Sequence, residues 1–185
     1  MDGLSGVAAS VAVALAVGLA AYGDGTRRVT RAALTRDTAP LFQTDSLAYT
    51  LRAESDGYIG EIRVRFTNRT GGTVYFVNCR GQTEVNLEKL VDDRWRVVWG
   101  PGIPMCLSPP ITVPAGGTYD SRIGVIAGYP GSNLQPQFSV PDVAGVYRAV
   151  WHQALSSYQD HLPFGEPLAL EHRVSNRFRL EVQPR

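Results

Sequence analysis

Residues 142–151, DVAGVYRAVW, decide how the whole chain is read as a fold. Asp142 and Gly145 are of the residue types that form tight turns. The residues that follow alternate with a period of two, which places Tyr147 and Trp151 on the same face of an extended segment. The stretch therefore predicts a turn and then a strand that enters a hydrophobic core, and it indicates no particular chemistry.

Length and composition limit the class of protein. The chain has 185 residues, which suits one domain rather than two, and 44% of them are apolar, enough for a buried core. The formal charge of +1 gives no field that would favour nucleic acid or an acidic partner. The 19 glycines and 12 prolines lie between short apolar runs, as in an all-β domain with many turns.

Short apolar or alternating runs of this kind recur along the chain and are separated by turns such as Ser55-Asp56-Gly57 and Asp92-Asp93. The predicted strands cover residues 47–52, 61–66, 73–78, 87–91, 95–99, 111–113, 119–127, 146–151 and 173–182. No amphipathic helix of useful length is predicted. Seven to nine short strands at this spacing indicate an all-β fold, a β-sandwich.

The turn and strand at 142–147 resemble the tyrosine corner of immunoglobulin-like (Ig-like) domains, in which Asp and Gly precede a Tyr at the start of a late strand. The resemblance implies that the Tyr147 hydroxyl bonds to backbone a few residues upstream and that its role is structural. That family has its core cysteine two residues later, where this chain has Ala149. The antibody-type disulfide is therefore absent.

The wider arrangement is similar to small bacterial Ig-like domains of the proteinase-inhibitor type. The similar pieces are residues 66–68, 92–99, 114–118 and 145–147. This resemblance implies an Ig-like β-sandwich of about seven to nine strands, and it makes inhibition of secreted proteinases an alternative function.

The N-terminus predicts export. Residues 7–21 form an apolar run that is short for a membrane span and has the length of a secretion signal's hydrophobic region. The residues before it carry Asp2 and no Lys or Arg, while four arginines follow it, the reverse of the usual signal pattern. We expect a signal peptide or anchor-like segment at 1–22, an Arg-rich linker at 23–44 and the Ig-like domain at 45–185.

Residues 19–24, LAAYGD, resemble the lipobox of bacterial lipoproteins, with Tyr22 in place of the lipidated Cys. Because a phenol cannot form the thioether, the resemblance implies a lipoprotein-like relative without its lipid, and coincidence in an Ala-rich segment is the alternative. The expected location is the periplasm, the outer envelope or the medium, with membrane association through the N-terminal segment. The basic linker is read as a solvated tether, or as a contact with anionic headgroups.

Cys79 and Cys106 are the two cysteines of the chain. In an exported protein such a pair predicts a disulfide. Closing a loop of about 28 residues would stabilise the fold by roughly 3–4 kcal/mol in the chain-entropy treatment. Two free thiols in a cytosolic protein are the alternative.

Catalytic and metal-binding patterns are weak in this sequence. His152, His161 and His172 are spaced by nine and eleven residues, which matches no common metal-ligand pattern. Ser156 and Ser157 lie near a histidine in sequence but lack a nucleophile elbow around them. We therefore expect no metal, no cofactor and no enzymatic activity.

Exposed aromatic residues and the long segment 152–169 carry the remaining functional hypothesis. The alternation of residues 95–99 predicts that Trp95, Val97 and Trp99 share a face, as an aromatic binding strip would, although core packing of at least one tryptophan is the preferred interpretation. Binding residues concentrate on loops over rigid scaffolds, although this loop could equally fill the end of the core. The candidate ligand-binding residues are Trp95, Trp99, Tyr158, His161 and Phe164.

The leading function is then a non-enzymatic binding or structural module of the cell envelope, with a protein or glycan partner at the cell surface and no nucleic acid. A proteinase inhibitor and a carbohydrate-binding module that uses exposed Trp and the 152–169 loop are the alternatives.

Overall fold

The computed structural model describes residues 40–103, 108–159 and 165–185, which belong to the compact unit Thr35–Arg185. These residues form an all-β structure of thirteen strands and one short 3-10 helix, Leu170–His172. The strands are β1 Phe42–Thr44, β2 Ala48–Ala53, β3 Gly57–Thr67, β4 Val74–Phe76, β5 Asn78–Cys79, β6 Gln82–Thr83, β7 Val85–Val91, β8 Arg94–Trp99, β9 Ile111–Val113, β10 Thr118–Gly128, β11 Gly145–Trp151, β12 Ala154–Leu155 and β13 Phe178–Gln183. The part of the chain that is described holds no helix long and apolar enough to cross a membrane.

Eight strands form one large sheet. β10 pairs antiparallel with β3 along its whole length, and β3 pairs on its other side with β1 and with the end of β2. β2 also pairs in parallel with β13, from which the sheet continues through β11 and β7 to β8. β2 therefore joins two halves, which we call the β10 half (β1, β3 and β10) and the β8 half (β13, β11, β7 and β8).

Two small sheets complete the described structure. β12, β4 and β9 form a three-stranded antiparallel sheet, and β5 pairs with β6. Cys79 ends β5, and its predicted partner Cys106 lies outside the described residues, so the disulfide stays a prediction.

Buried apolar side chains from both halves and from the three-stranded sheet form one hydrophobic cluster. Phe42 of β1 stacks on Trp151 of β11 with ring centroids 3.8 Å apart. Phe66 of β3 meets Phe76 of β4 edge to face at 5.0 Å. Burying each such side chain stabilises the fold by about 1.5–3 kcal/mol. The contacts between these rings therefore stabilise the packing of β1 against β11 and of β3 against β4.

The alternation seen in the sequence has its expected effect in β3. Ile62, Val64 and Phe66 are buried in the cluster. Arg63 and Arg65, between them, are exposed. The prediction of a strand with one solvated face at 61–66 is confirmed. The Asp92-Asp93 turn is confirmed as well, since both residues have positive φ, as a two-residue hairpin of the type I′ class requires.

Several predicted boundaries differ from the structure. The segment predicted as one strand at 73–78 is divided into β4 and β5, and the segment 152–169 contains β12. The last strand begins at Phe178 rather than at residue 173. The described structure also has more strands than seven to nine, because several pieces are only two or three residues long.

The folded part begins before residue 45. Leu41 and Phe42 are buried in the cluster, and β1 pairs with β3. Leu47, by contrast, is exposed, although the alternation grouped it with the buried Leu51. The start of the packed domain therefore lies inside the segment that was expected to be linker.

Candidate functional site on the outer face around Trp95

A β-bulge decides which tryptophans reach the surface. In the pairing of β8 with β7, Trp99 lies opposite Leu87 and Val97 lies opposite Glu88, so Val98 is an extra residue. The extra residue reverses the alternation. Val97 is 51% exposed whereas Trp99 is 3% exposed. The prediction that Trp95, Val97 and Trp99 share one face is therefore wrong.

Trp95 lies on the outer face of β8 and is half-buried under two arginines. The guanidinium carbon of Arg148 is 4.5 Å from the Trp95 ring centroid, and that of Arg177 is 5.5 Å away. Both distances are within the range of a cation–π contact, which is worth about 0.5–1 kcal/mol at an exposed site. The indole is thus contacted by guanidinium groups from β11 and from the segment just before β13.

Glu88 of β7 fixes Arg148 in turn. Nε and Nη2 of Arg148 both lie 2.6 Å from Oε2 of Glu88. Both side chains are largely buried, at 21% and 14% exposure, so this pair is less screened by solvent than most surface ion pairs. Arg177 is exposed, and the structure shows no ion pair for it within the described ranges.

We call these residues and their exposed apolar neighbour the Trp95 face: Glu88, Trp95, Val97, Arg148 and Arg177. All but Arg177 stand on paired strands of the β8 half, which gives them fixed positions. Arg177 immediately precedes β13. The face presents a flat apolar centre with one surplus positive charge, so it can contact a partner that offers apolar groups next to an acidic one. It holds no nucleophile and no acid–base pair.

The other two tryptophans belong to the core, which confirms that at least one would pack there. Trp151 is fully buried against Phe42, and Trp99 faces Phe138 with ring centroids 6.5 Å apart. Trp99 is therefore withdrawn from the candidate ligand-binding residues.

The long segment 152–169 is closed at its base. Ser156 N and Oγ both donate hydrogen bonds to Glu166 O, at 2.7 and 3.0 Å, and Glu166 N donates to Ser157 Oγ at 3.0 Å. Tyr158 stacks on Tyr75 of the three-stranded sheet with ring centroids 5.9 Å apart. Tyr158 therefore packs against a different sheet from the one that carries Trp95.

His161 and Phe164 lie outside the described residues, so their part in a site stays a prediction. The hydroxyls of Ser156 and Ser157 are engaged with backbone, as described above. Within the described ranges, no three His, Cys, Asp or Glu side chains converge as metal ligands would.

A shallow concavity of about 610 Å³ lies on the outer face of the β10 half. Arg65 donates to both carboxylate oxygens of Asp120, at 2.7 and 3.1 Å, and this bond lowers the pKa of Asp120. Arg63 and Arg122 lie 2.9 and 3.8 Å from Glu61. Because its charges are paired with one another, the concavity has no surplus charge for an ionic ligand.

The corner at 142–147 has the hydrogen bond that the resemblance implied. Tyr147 Oη donates to Val143 O at 2.5 Å in the buried interior. Burial, followed by the nearby charge of Asp142, raises the pKa of Tyr147. This tyrosine is held neutral and supports the turn.

Sequence reasoning missed Lys89, which completes the corner. Its side chain is almost entirely buried, and Nζ donates to the backbone oxygen of Asp142 and to Asp142 Oδ2 at 3.2 Å. Gly145 has φ +149, and a Cβ there would lie 2.6 Å from Lys89 Cε. The period-two pattern of β7, with Lys89 on the side of Leu87, was the only signal that could have located it.

Residues Asn68-Arg69-Thr70 have the form of an N-glycosylation sequon, and the fold already uses the asparagine side chain. Asn68 is fully buried, and its Nδ2 donates to Gly72 O and Val113 O, both at 2.9 Å. Its Oδ1 accepts from Thr70 N and Oγ1. The amide that a glycan would occupy therefore holds a turn against β9.

Comparison of the chain with protein-family models, with curated proteins and with solved structures finds no match.

Proposed function

We propose that this chain is an exported, non-enzymatic binding module of the cell envelope, built on an Ig-like β-sandwich, and that the Trp95 face is its contact surface for a protein partner. The single observation that carries the contact surface is the exposed Val97 beside an indole that two arginines hold in place.

Two features support the Ig-like assignment. β2 pairs antiparallel with β3 and in parallel with β13, so one early strand is shared between the two halves of the sheet. The Tyr147–Val143 hydrogen bond is the contact that defines a tyrosine corner. A sandwich of the two halves would also account for the single cluster formed by their buried side chains.

The composition of the Trp95 face supports protein binding. Trp and Arg are enriched among the residues that dominate protein–protein affinity, and a rigid contact surface loses little entropy on binding. Arg177 adds a positive charge that is not cancelled by an ion pair in the described structure. A partner segment with an acidic group beside an apolar one would satisfy both parts of the face.

Export rests on the sequence of residues 1–22, which lie outside the described residues. The proposed location is the periplasm, the outer envelope or the medium. Fractionation of cells that make the full chain tests it, since recovery of all of the protein in the cytosol would contradict export.

The contact surface is tested with two matched variants. Val97→Asp places a charge in the Trp95 face, and Ile126→Asp places the same charge at an equally apolar, 61% exposed position on β10. Wild type and both variants are immobilised at equal density and exposed to solubilised envelope proteins of the source organism, and the bound proteins are quantified.

At least one protein should be retained by wild type and by Ile126→Asp but lost with Val97→Asp. Binding profiles that are the same for the two variants would exclude the Trp95 face as the contact surface. Unfolding midpoints of the three proteins establish that they are equally folded.

The alternative functions stay predictions. Stoichiometric inhibition in a proteinase panel would support the inhibitor. A Trp fluorescence change with glycans that is lost in Trp95→Phe would support a carbohydrate-binding module, although the two arginines over the Trp95 ring leave less of its surface open to a sugar.

A further inference from the structure

β10 is a long strand with one unpaired edge. Its eleven residues pair with β3 in continuous register, without a bulge. No other described strand pairs with it, and among the described residues its second edge is met at the last residue alone, where Gly128 forms an isolated bridge with Gln137. It also contains no proline. An edge of this length offers a row of backbone groups to another strand, and natural proteins usually protect such edges with bulges, prolines or charged side chains. Of these devices β10 has charged side chains alone, Asp120 and Arg122, and they are of opposite sign.

The backbone groups at this edge can be identified. Residues of an antiparallel strand direct N–H and C=O alternately to one side and to the other. Gly128 N–H donates to Pro136 O, away from β3, and Thr67, opposite Thr118, donates to Leu41 O on the far side of β3. The even-numbered residues of β10 therefore direct their backbone groups to the free edge.

Two successive members of this even-numbered set, Asp120 and Arg122, carry opposite charges. Asp120 and Arg122 are both exposed on the outer face. In an antiparallel pairing of β10 with a second copy, a register with Ser121 opposite Ser121 places Asp120 of each copy opposite Arg122 of the other. Moving the two-fold axis by one residue would instead place Asp120 opposite Asp120, or Arg122 opposite Arg122.

We propose that the chain self-associates through β10 as a two-fold antiparallel dimer centred on Ser121. Residues 118–124 of the two copies overlap, and two symmetric Asp120–Arg122 pairs select the register. Each new pair extends an ion pair that already exists, Arg65–Asp120 on one side and Arg122–Glu61 on the other.

The opposite end of the large sheet is less suited to such pairing. β8 is interrupted by the bulge at Val98, and Val98 O already accepts a hydrogen bond from Ser139 N at 2.9 Å. The dimer edge is also separate from the Trp95 face, so the two proposals can fail independently.

Complementary charge reversals test the register. Arg122→Glu places a second carboxylate opposite Asp120, and Asp120→Arg places a second guanidinium opposite Arg122, so each variant alone faces two repulsive pairs. A mixture of the two variants restores attraction in the mixed dimer, where the two introduced side chains, of opposite charge, face each other. Arg179→Glu is the matched control, because it makes the same charge change as Arg122→Glu at an exposed position of β13, in the other half of the sheet and away from the ion pairs of Asp120 and Arg122.

The masses of the purified full-length proteins are measured by sedimentation equilibrium over a concentration series. Wild type should dimerise reversibly, and each edge variant should weaken the dimer about tenfold or more, because opposite charges across strands stabilise and like charges destabilise. The mixture should recover mixed dimers, and Arg179→Glu should stay near wild type.

A wild-type mass of one chain at every concentration would overturn the proposal. So would equal weakening by Arg179→Glu and Arg122→Glu, or a mixture of the edge variants that stays monomeric. Circular dichroism of each variant separates loss of association from loss of the fold.

Discussion

Replacing Tyr147 by Phe removes one oxygen atom from the corner and keeps the ring. The ring packs against Phe138 and Phe178, and its hydroxyl donates to Val143 O. Because Val143 is itself buried, its carbonyl would lose a partner without gaining access to water. An unpaired buried acceptor costs about 1–3 kcal/mol, so we expect the free energy of unfolding to fall by about 2 kcal/mol.

Urea unfolding followed by circular dichroism measures this change. With an m-value of about 2 kcal/mol per molar, the midpoint should fall by about 1 M. Tyr49→Phe is the control, because its hydroxyl bonds to Asp45 Oδ1, Arg63 O and Ser46 N near the surface, where water can replace it, and we expect a change of about 1 kcal/mol or less. Equal midpoints for the two variants, or a Tyr147→Phe midpoint unchanged from wild type, would refute the structural role assigned to the corner.

Three further predictions concern backbone, polar burial and pH. Gly145→Ala should lower the free energy of unfolding by about 1–3 kcal/mol, because the φ of +149 and the nearby Lys89 side chain leave no place for a Cβ. Gly124→Ala is the control: it has open space around it and should be neutral or stabilise by about 0.5–1 kcal/mol. Urea unfolding measures both. Asn68→Ala should lower the free energy of unfolding by about 2–3 kcal/mol, because it removes the buried hydrogen bonds of this side chain. Asn133→Ala, on an exposed loop, should change it by less than about 0.5 kcal/mol. Similar thermal midpoints for the two variants would contradict the stabilising role of the Asn68 hydrogen bonds. Burial raises the pKa of Tyr147, so the folded protein keeps the hydroxyl proton at a pH where the unfolded chain has released it. The contribution of this group to the free energy of unfolding should be fully present below about pH 10 and fall above it by up to about 1.4 kcal/mol per pH unit. Urea midpoints between about pH 9 and 11 should therefore fall less steeply in Tyr147→Phe than in wild type.

The strands were predictable from the sequence where one face of a strand is buried and the other is exposed to solvent. In β3 and β10 the burial alternates with a period of two, and most apolar residues lie on the inner face, with Ile59 and Ile126 as exposed exceptions on the outer face. The corner was predictable too, since Asp142, Gly145 and Tyr147 are all local to one turn. These features depend on interactions within a few residues or on a simple period.

The candidate site was less predictable because it depends on pairing between distant strands. The bulge at Val98 is a property of how β8 meets β7, and the sequence of β8 alone does not contain it. Likewise, the contacts of Arg148 and Arg177 with Trp95 join residues more than fifty positions apart. Alternation within β8 therefore grouped the buried Trp99 with Trp95, which is half-buried on the outer face.

Lys89 gives the chain an unusual chemical property. Lys89 is the single lysine among the 18 lysine and arginine residues of the chain, and its amine is buried at the corner. Apart from the chain's N-terminus, amine-reactive reagents have one target, and a lysine-specific protease has one cleavage site. Both can act only when β7 separates from the turn at Asp142, so acylation or cleavage at Lys89 reports the opening of this corner without any engineered label.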